Sequence, residues 1–181
     1  MWAVLFEVTP KPDRWDAYLA HAAALRPELL RIDGFLDNRR FASRTRQGTL
    51  LSLSYWRDED ALIAWRSHRL HHAVQAAGRN DVFSDYRLRV GQAVLGATAA
   101  TRVVSVVENP SVEAPPESTG WDMFDGVTIL GTSLMLLDWR DARAMAAWTP
   151  AGGERRTDVA VIRDYGIRDR KEAPQSFPPV P

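Results

Sequence analysis

The sequence predicts an α+β protein made of two βαββαβ units, each a four-stranded antiparallel sheet with both helices on one face, the two sheets packed as one barrel. Three observations predict it. Blocks recur in the same order: Ile32, Asp33, Gly34, Phe35 as Phe124, Asp125, Gly126, Val127; Trp56, Asp58, Ala61, Ala64, Trp65 as Trp139, Asp141, Ala144, Ala147, Trp148; and Asp85, Tyr86, Arg87, Leu88, Arg89 as Asp164, Tyr165, Gly166, Ile167, Arg168. Strand-like alternation and helical spacing then follow one another in the order β, α, β, β, α, β, the ferredoxin-like split βαβ arrangement. Half of a 181-residue chain is also marginal as an independent core, so the halves need each other.

Met1 to Thr9 reads as the first strand, with Trp2, Val4, Phe6 and Val8 on one face and a stop at Pro10 and Pro12. Asp13 is the expected N-cap of a helix carrying Trp15, Tyr18, Leu19, Ala22 and Leu29 to about Ile32, kinked or restarted at Pro27. Gly34 opens an extended stretch, Phe35 to Ser43, which the polar turn at Arg46, Gln47 and Gly48 folds back onto Thr49 to Trp56. There Leu51, Leu53 and Tyr55 alternate with Ser52 and Ser54, so one face is either wet or lines a pocket. Asp58 caps a second helix through Ala61, Leu62 and Trp65; its apolar line rotates after Ser67 to Leu70, Ala73, Val74 and Ala77, predicting a break there and an end at Gly78. Val82 to Val90 is the fourth strand.

Gly91 to Thr101 is the expected linker. The second copy starts at Arg102 to Glu108, but Pro110, Pro115 and Pro116 make its first helix short or missing. Val127 to Leu137 reads as a compressed hairpin around Gly131, Asp141 to Trp148 as a truncated helix, and Val159 to Arg168 as the last strand. The organisation is therefore one domain over 1–92, a degenerate repeat over 101–170, and an extended Pro-rich tail over 171–181, disordered or laid as a strap over the other half.

Residues 1–90 hold 14 cationic against 11 acidic side chains and residues 91–181 hold 9 against 12, a slightly basic half beside a slightly acidic one. That balance gives no electrostatic footprint for nucleic acid or an acidic membrane. The absence of cysteine removes disulfides and thiolate chemistry. No apolar run approaches a membrane span and no charged-then-apolar leader follows Met1, so the expectation is a soluble cytoplasmic protein without membrane or nucleic-acid partners, an intrachain pseudo-dimer with homodimerisation left open.

The strand ending in Phe6, Glu7, Val8, the Ile32 to Phe35 block, Leu51 to Glu59, and Trp65, His68, His71, Gln75, Gly78, Arg79 and Tyr86 together resemble the antibiotic biosynthesis monooxygenase family of dimeric α/β barrels. The resemblance covers residues 1 to about 92 and reaches the second half only through its repeat. It implies a closed barrel with helices outside, a pocket beneath the helices of each sheet, and chemistry ranging from cofactor-free oxidation of phenolic polyketides to quinol oxidation and haem degradation. Haem-degrading enzymes share the helix tryptophan, here Trp65. The asparagine and histidine they use fall at Glu7 or Val8 and at Gln75, so His71 or His72 would have to ligate iron instead.

Three of the four histidines, His68, His71 and His72, lie within five residues. His68 and His72 have metal-ligand spacing but no third ligand, so no metal is expected. His68 or His71 is a candidate acid/base for a phenol or enol; the plainer reading is solvation or capping of the bent helix. Trp65 and Trp148 are explained by packing between helix and sheet, with a pocket wall as the alternative. Tyr55, Trp65 and Arg87 are the candidate substrate contacts, with Tyr86 on the opposite face from Arg87. The expected function is a cofactor-independent monooxygenase acting on, or binding, a planar aromatic or quinol-like molecule in the first copy's pocket, with His68, His71 and Trp65 as catalytic candidates. A non-catalytic binding or structural protein of the same fold is the alternative, and haem binding a third reading.

Overall fold

The computed structural model describes residues 1–94, 100, 102–111 and 113–174. The first copy runs β1 (Trp2–Pro10), α1 (Trp15–Leu29), β2 (Phe35–Ser43), β3 (Leu50–Trp56), α2 (Glu59–Ser67), α3 (Arg69–Ala77) and β4 (Phe83–Val94). The second runs β5 (Val103–Glu108), β6 (Ser118–Gly126), β7 (Ser133–Trp139), α4 (Ala142–Ala146) and β8 (Arg156–Gly166), with no helix between β5 and β6 among the described residues. The sheets β4-β1-β3-β2 and β8-β5-β7-β6 have the same internal order and join through β2·β6 and β4·β8, all antiparallel, so eight strands close one barrel within one chain. Among the described residues no helix is long and apolar enough to cross a membrane.

Strand pairing supplies the true correspondence between the copies. Trp2 faces Trp56 as Val103 faces Trp139, and Phe35 faces Trp56 as Ser118 faces Trp139, with the same register shift one residue later in each. Phe41 therefore matches Phe124, both fully buried in the barrel. Of the three sequence blocks only Trp56–Trp65 with Trp139–Trp148 is structurally equivalent. Gly34 precedes β2 whereas Gly126 ends β6, and on the equivalent strands β4 and β8 the register that sets Gln92 opposite Trp2 sets Ala160 opposite Val103, so Asp85–Arg89 and Asp164–Arg168 are out of step. Those two matches are coincidences of composition in a chain that is nonetheless duplicated.

Alternation then divides the core. Ala3, Leu5, Phe41, Leu51, Leu53 and Tyr55 meet Val104, Val106, Phe124, Leu134, Leu136 and Val159 inside the barrel. The outer face of the second sheet is filled by Met135, Leu137, Trp139 and Met145, with Ala114 and Trp148 packed against them. The outer face of the first sheet carries α1, α2 and α3.

Charge divides along the same seam. Arg39 pairs with Glu108 (2.9 Å), Arg44 with Asp125 (2.6 Å), Arg46 with Asp122 (2.6 Å), Arg87 with Asp164 (2.7 Å) and Arg89 with Asp138 (2.5 Å), each a first-copy cation on a second-copy carboxylate. Glu7, 5% exposed, accepts from both Arg46 and Arg89, and Arg89 is only 2% exposed. The opposite slight charges of the halves are thus spent across the barrel seam.

Several boundaries differ from expectation. Asp13 sits in a short 3-10 turn, Pro12–Arg14, and caps nothing; Arg14 occupies the N-cap of α1. Pro27 lies inside α1, near enough to its end that one lost N–H is tolerated, and the helix stops at Leu29 instead of Ile32. Trp15 and Leu19 face solvent, while Tyr18 and Leu29 are buried. Asp58 caps α2 by accepting from Ala61 N (2.9 Å), and the break expected near Ser67 falls at His68, whose ψ of 126° separates α2 from α3. Val82 ends a π turn and β4 extends to Val94, absorbing the first residues of the expected linker. The hairpin placed at Val127 to Leu137 is β6 and β7, with residues 127–132 as its turn and Gly131 at φ +80°. Its first strand escaped sequence reading because Asp122 and Asp125 break the apolar alternation while pairing with arginines of the other copy. Residues 95–99 and 101 of the linker, and 175–181 of the tail, lie outside the described residues. The described part of the tail packs back: Glu172 accepts from Arg102 (2.9 Å) and from Asp164 N (2.7 Å), and Ala173 is buried.

Candidate functional site

The principal cavity, about 250 Å³, lies between the outer face of the first sheet and α1, α2 and α3. The period of two that sends Leu51, Leu53 and Tyr55 into the barrel sends Ser52, Ser54 and Trp56 to its floor, beside Asn38 and Arg40 of β2, Val4 and Phe6 of β1, and Tyr86, Leu88 and Val90 of β4. Helices supply the roof: His21 and Leu25 from α1, Leu62 and Trp65 from α2, His71 and Gln75 from α3. The second copy completes the wall with Arg163, Tyr165, Arg170 and Pro174, so the first copy does not form this site alone.

Trp65 is the centre of an aromatic column. Its ring stacks on His71 at 4.2 Å between centroids and 15° between planes, and on Trp56 at 6.5 Å; Phe35 meets Trp56 edge-on at 5.4 Å. The break at His68 makes this stack, because it resets α3 so that His71 falls back over the last turn of α2. His71 Nδ1 is 2.9 Å from the Trp65 carbonyl oxygen, which makes Nδ1 the protonated nitrogen and leaves Nε2 with a lone pair; Gln75 Nε2 lies at the ring edge, 3.2 Å from Nδ1 and 3.4 Å from Nε2. Burial lowers the His71 pKa to about 4, partly offset by the Trp65 carbonyl, so the imidazole is neutral around neutral pH.

The five sequence-selected residues separate here. Trp65 and His71 line the cavity. His68 stacks on Trp65 (5.7 Å) but lies outside the cavity lining, its Nε2 3.6 Å from the Glu28 carboxylate, and it ties the α2–α3 corner to α1. Tyr55 points into the barrel, where burial raises its hydroxyl pKa, and Arg87 points to the barrel end against Asp164 and Asp138 (3.5 Å). Both lie on strands that flank the cavity but on the face of the sheet turned away from it. A strand buried on both sides shows alternation but does not say which side is which. Asn38, Arg40 and the second-copy residues escaped the sequence reading, while the serine face of β3 was its one pointer to the floor.

Any ligand contact by His71, haem ligation included, would fall to Nε2, since Nδ1 is engaged by the Trp65 carbonyl oxygen. Among the described residues no group of three or more acidic, histidine or cysteine side chains has the arrangement to hold a metal.

A second cavity, about 220 Å³, opens where the barrel end meets β5 and β7, lined by Arg87, Arg89, Arg102, Asp138 and Asp164. Its arginines are paired with carboxylates, so it reads as the space left around a charge network.

Residues 1–77 match the family model described as antibiotic biosynthesis monooxygenase. The chain is 36% identical, over 99% of both lengths, to the jasmonate monooxygenase ABM of Pyricularia oryzae. Among solved structures it is similar to a protein of Pseudomonas aeruginosa (15% identity, TM-score 0.46, 52% of this chain and 94% of that one). It is also similar to an antibiotic biosynthesis monooxygenase (18% identity, TM-score 0.47, 52% of this chain and 100% of that one).

Proposed function

Because the chain belongs to the antibiotic biosynthesis monooxygenase family, we propose that it is a cofactor-independent monooxygenase that takes a small planar, electron-rich molecule into the cavity under α1, α2 and α3. The observation that carries this reading is the neutral His71 held over Trp65 with its Nε2 lone pair at an otherwise largely apolar cavity. In such a reaction a methylene activated by a phenol or enol becomes a carbonyl, and the second oxygen atom of dioxygen leaves as water; the substrate supplies the electrons.

The pKa of about 4 limits what His71 can do. Taking a proton outright from a phenol of ordinary pKa, about 10, would be uphill by about 8 kcal/mol. His71 instead accepts a hydrogen bond from the substrate hydroxyl, orients it, and takes the proton once electron loss to dioxygen has made that hydroxyl strongly acidic. The aromatic and aliphatic walls exclude water from the reacting pair, and the floor's serines and Asn38 fix the ring's orientation.

The test is oxygen uptake with dithranol, an anthrone, with labelled dioxygen traced into the quinone carbonyl. Wild type is expected to incorporate label, and His71→Ala to lose about ten- to a hundredfold in rate. Uptake unchanged in His71→Ala, or none in wild type, overturns the reading. Jasmonate, from the name of the relative, is the second substrate to assay, with and without an added reductant, since a hydroxylation requires an electron pair to reduce the second oxygen atom.

A further inference from the structure

Among the described residues, the cavity floor carries a cation, Arg40, with no carboxylate partner. Of the cavity's other arginines, Arg26, Arg66 and Arg79 come from the helical roof, Arg163 is paired with Glu59 (2.9 Å), and Arg170 donates to the Tyr86 hydroxyl and lies over the Tyr165 ring. Arg40 differs. It stands on a central barrel strand opposite Ser52, no carboxylate among the described residues pairs with it, and its Nε is buried without a hydrogen-bond partner. Its backbone is clamped from the other copy, N–H donating to Thr128 Oγ1 (3.0 Å) and C=O accepting from Val127 N (2.8 Å), so the side chain leaves a rigid base.

Around it the floor is polar where the rest is not. Asn38 donates to Ser52 Oγ (2.9 Å), Ser54 accepts from Trp56 Nε1 (3.0 Å), and the Tyr18 hydroxyl of α1 lies beside the Arg40 guanidinium. Phe6, Leu88 and Trp65 cover the remainder. A half-buried guanidinium whose Nε lacks a partner gains from an anion, and a planar carboxylate matches its fork of donors.

We propose that Arg40, with Tyr18 and Ser52, forms a carboxylate subsite, so that the preferred ligand is an apolar ring system carrying a carboxylate, its acid end on β2 and its ring against Trp65. This rests on the cavity being the ligand site, and the experiment separates the two. Naphthoate and its neutral methyl ester are titrated against the full chain by tryptophan fluorescence, with calorimetry as the check. Wild type is expected to bind naphthoate about tenfold more tightly than the ester. Arg40→Gln should abolish that preference without weakening ester binding, Arg40→Lys should keep part of it, and Tyr18→Phe should lower it by about threefold, since a neutral hydroxyl contributes less than a guanidinium.

Ester binding with no preference for the carboxylate, or a preference that survives Arg40→Gln and disappears in Arg79→Gln, overturns the subsite and leaves the cavity reading intact. Binding of neither compound overturns both. If Arg40→Gln does not fold, Arg40→Lys and Tyr18→Phe decide: a preference unchanged in both overturns the assignment.

Discussion

His71 ties the chemistry of the cavity to the stability of the fold. A histidine whose pKa drops from 6.5 to about 4 on folding is a site where the unfolded chain binds the proton better. Its neutral form therefore contributes fully above pH 6.5, and the contribution is lost as pH falls from 6.5 towards 4, by at most about 3 kcal/mol. Thermal unfolding of wild type should accordingly weaken over that window, and His71→Gln, which cannot protonate, should show a shallower decline. Equal pH dependence in both proteins would contradict a buried neutral imidazole. The Glu7–Arg89 pair makes a second prediction at this scale. Arg89→Met removes one of the two cations on the buried Glu7 carboxylate, leaving Arg46, and should cost about 1.5–3 kcal/mol, whereas adding Glu7→Gln should recover part of that loss, as chemical denaturation can measure.

At the scale of elements, the repeated Asp cap is the clearest local signal and has unequal consequences. Asp58 and Asp141 make the same bond, to Ala61 N (2.9 Å) and Ala144 N (2.8 Å), and each Asp→Ala change should lower stability by about 1 kcal/mol. Only Asp58 starts the helix that carries Trp65, so Asp58→Ala should also weaken ligand binding in the cavity and Asp141→Ala should not. Binding reduced equally by both would mean that α2 is not held by its cap. Gly34 shows the same element from its other side. With φ +86° and the space for a Cβ only 2.7 Å from Ala61 Cβ, it lets the α1–β2 turn pass against α2.

For the whole molecule, closure depends on two seams. At β4·β8 a Cβ on Gly91 would lie 2.2 Å from the Ala160 carbonyl oxygen, a backbone atom that cannot move aside. Gly91→Ala should therefore cost at least about 1–3 kcal/mol and open the barrel at that edge, visible as faster amide exchange in β4 and β8. The seam charges predict how the halves recognise each other. Residues 1–94 alone would expose the β2 and β4 edges and the face of Leu5, Phe41, Leu51 and Leu53, and a second identical copy would bring Arg39, Arg46, Arg87 and Arg89 against their like. Co-expressed with residues 100–181, it should form a one-to-one complex, by light scattering, in preference to a homodimer; a stable homodimer that excludes the second half would refute the role of these pairs.

Duplication, the order of strands and helices, the break after Ser67, the Asp58 cap, the missing helix of the second copy and the aromatic pair at the α2 corner were legible in the sequence, because each depends on neighbours within one or two turns of chain. Sheet faces were legible only as parity. Leu51, Leu53 and Tyr55 had to share one side and Ser52 and Ser54 the other, but closing the barrel covers both sides, one with a second sheet and one with helices. Which side held the cavity was decided by α1, α2 and α3 lying over the serines, and that moved Tyr55 and Arg87 out of the site and Arg40 into it. Arg163, Tyr165 and Arg170 reach the same cavity from a copy that begins about a hundred residues after β1, a proximity that only barrel closure creates. Local chemistry is written along the chain; the choice among equally covered faces is made by long-range pairing.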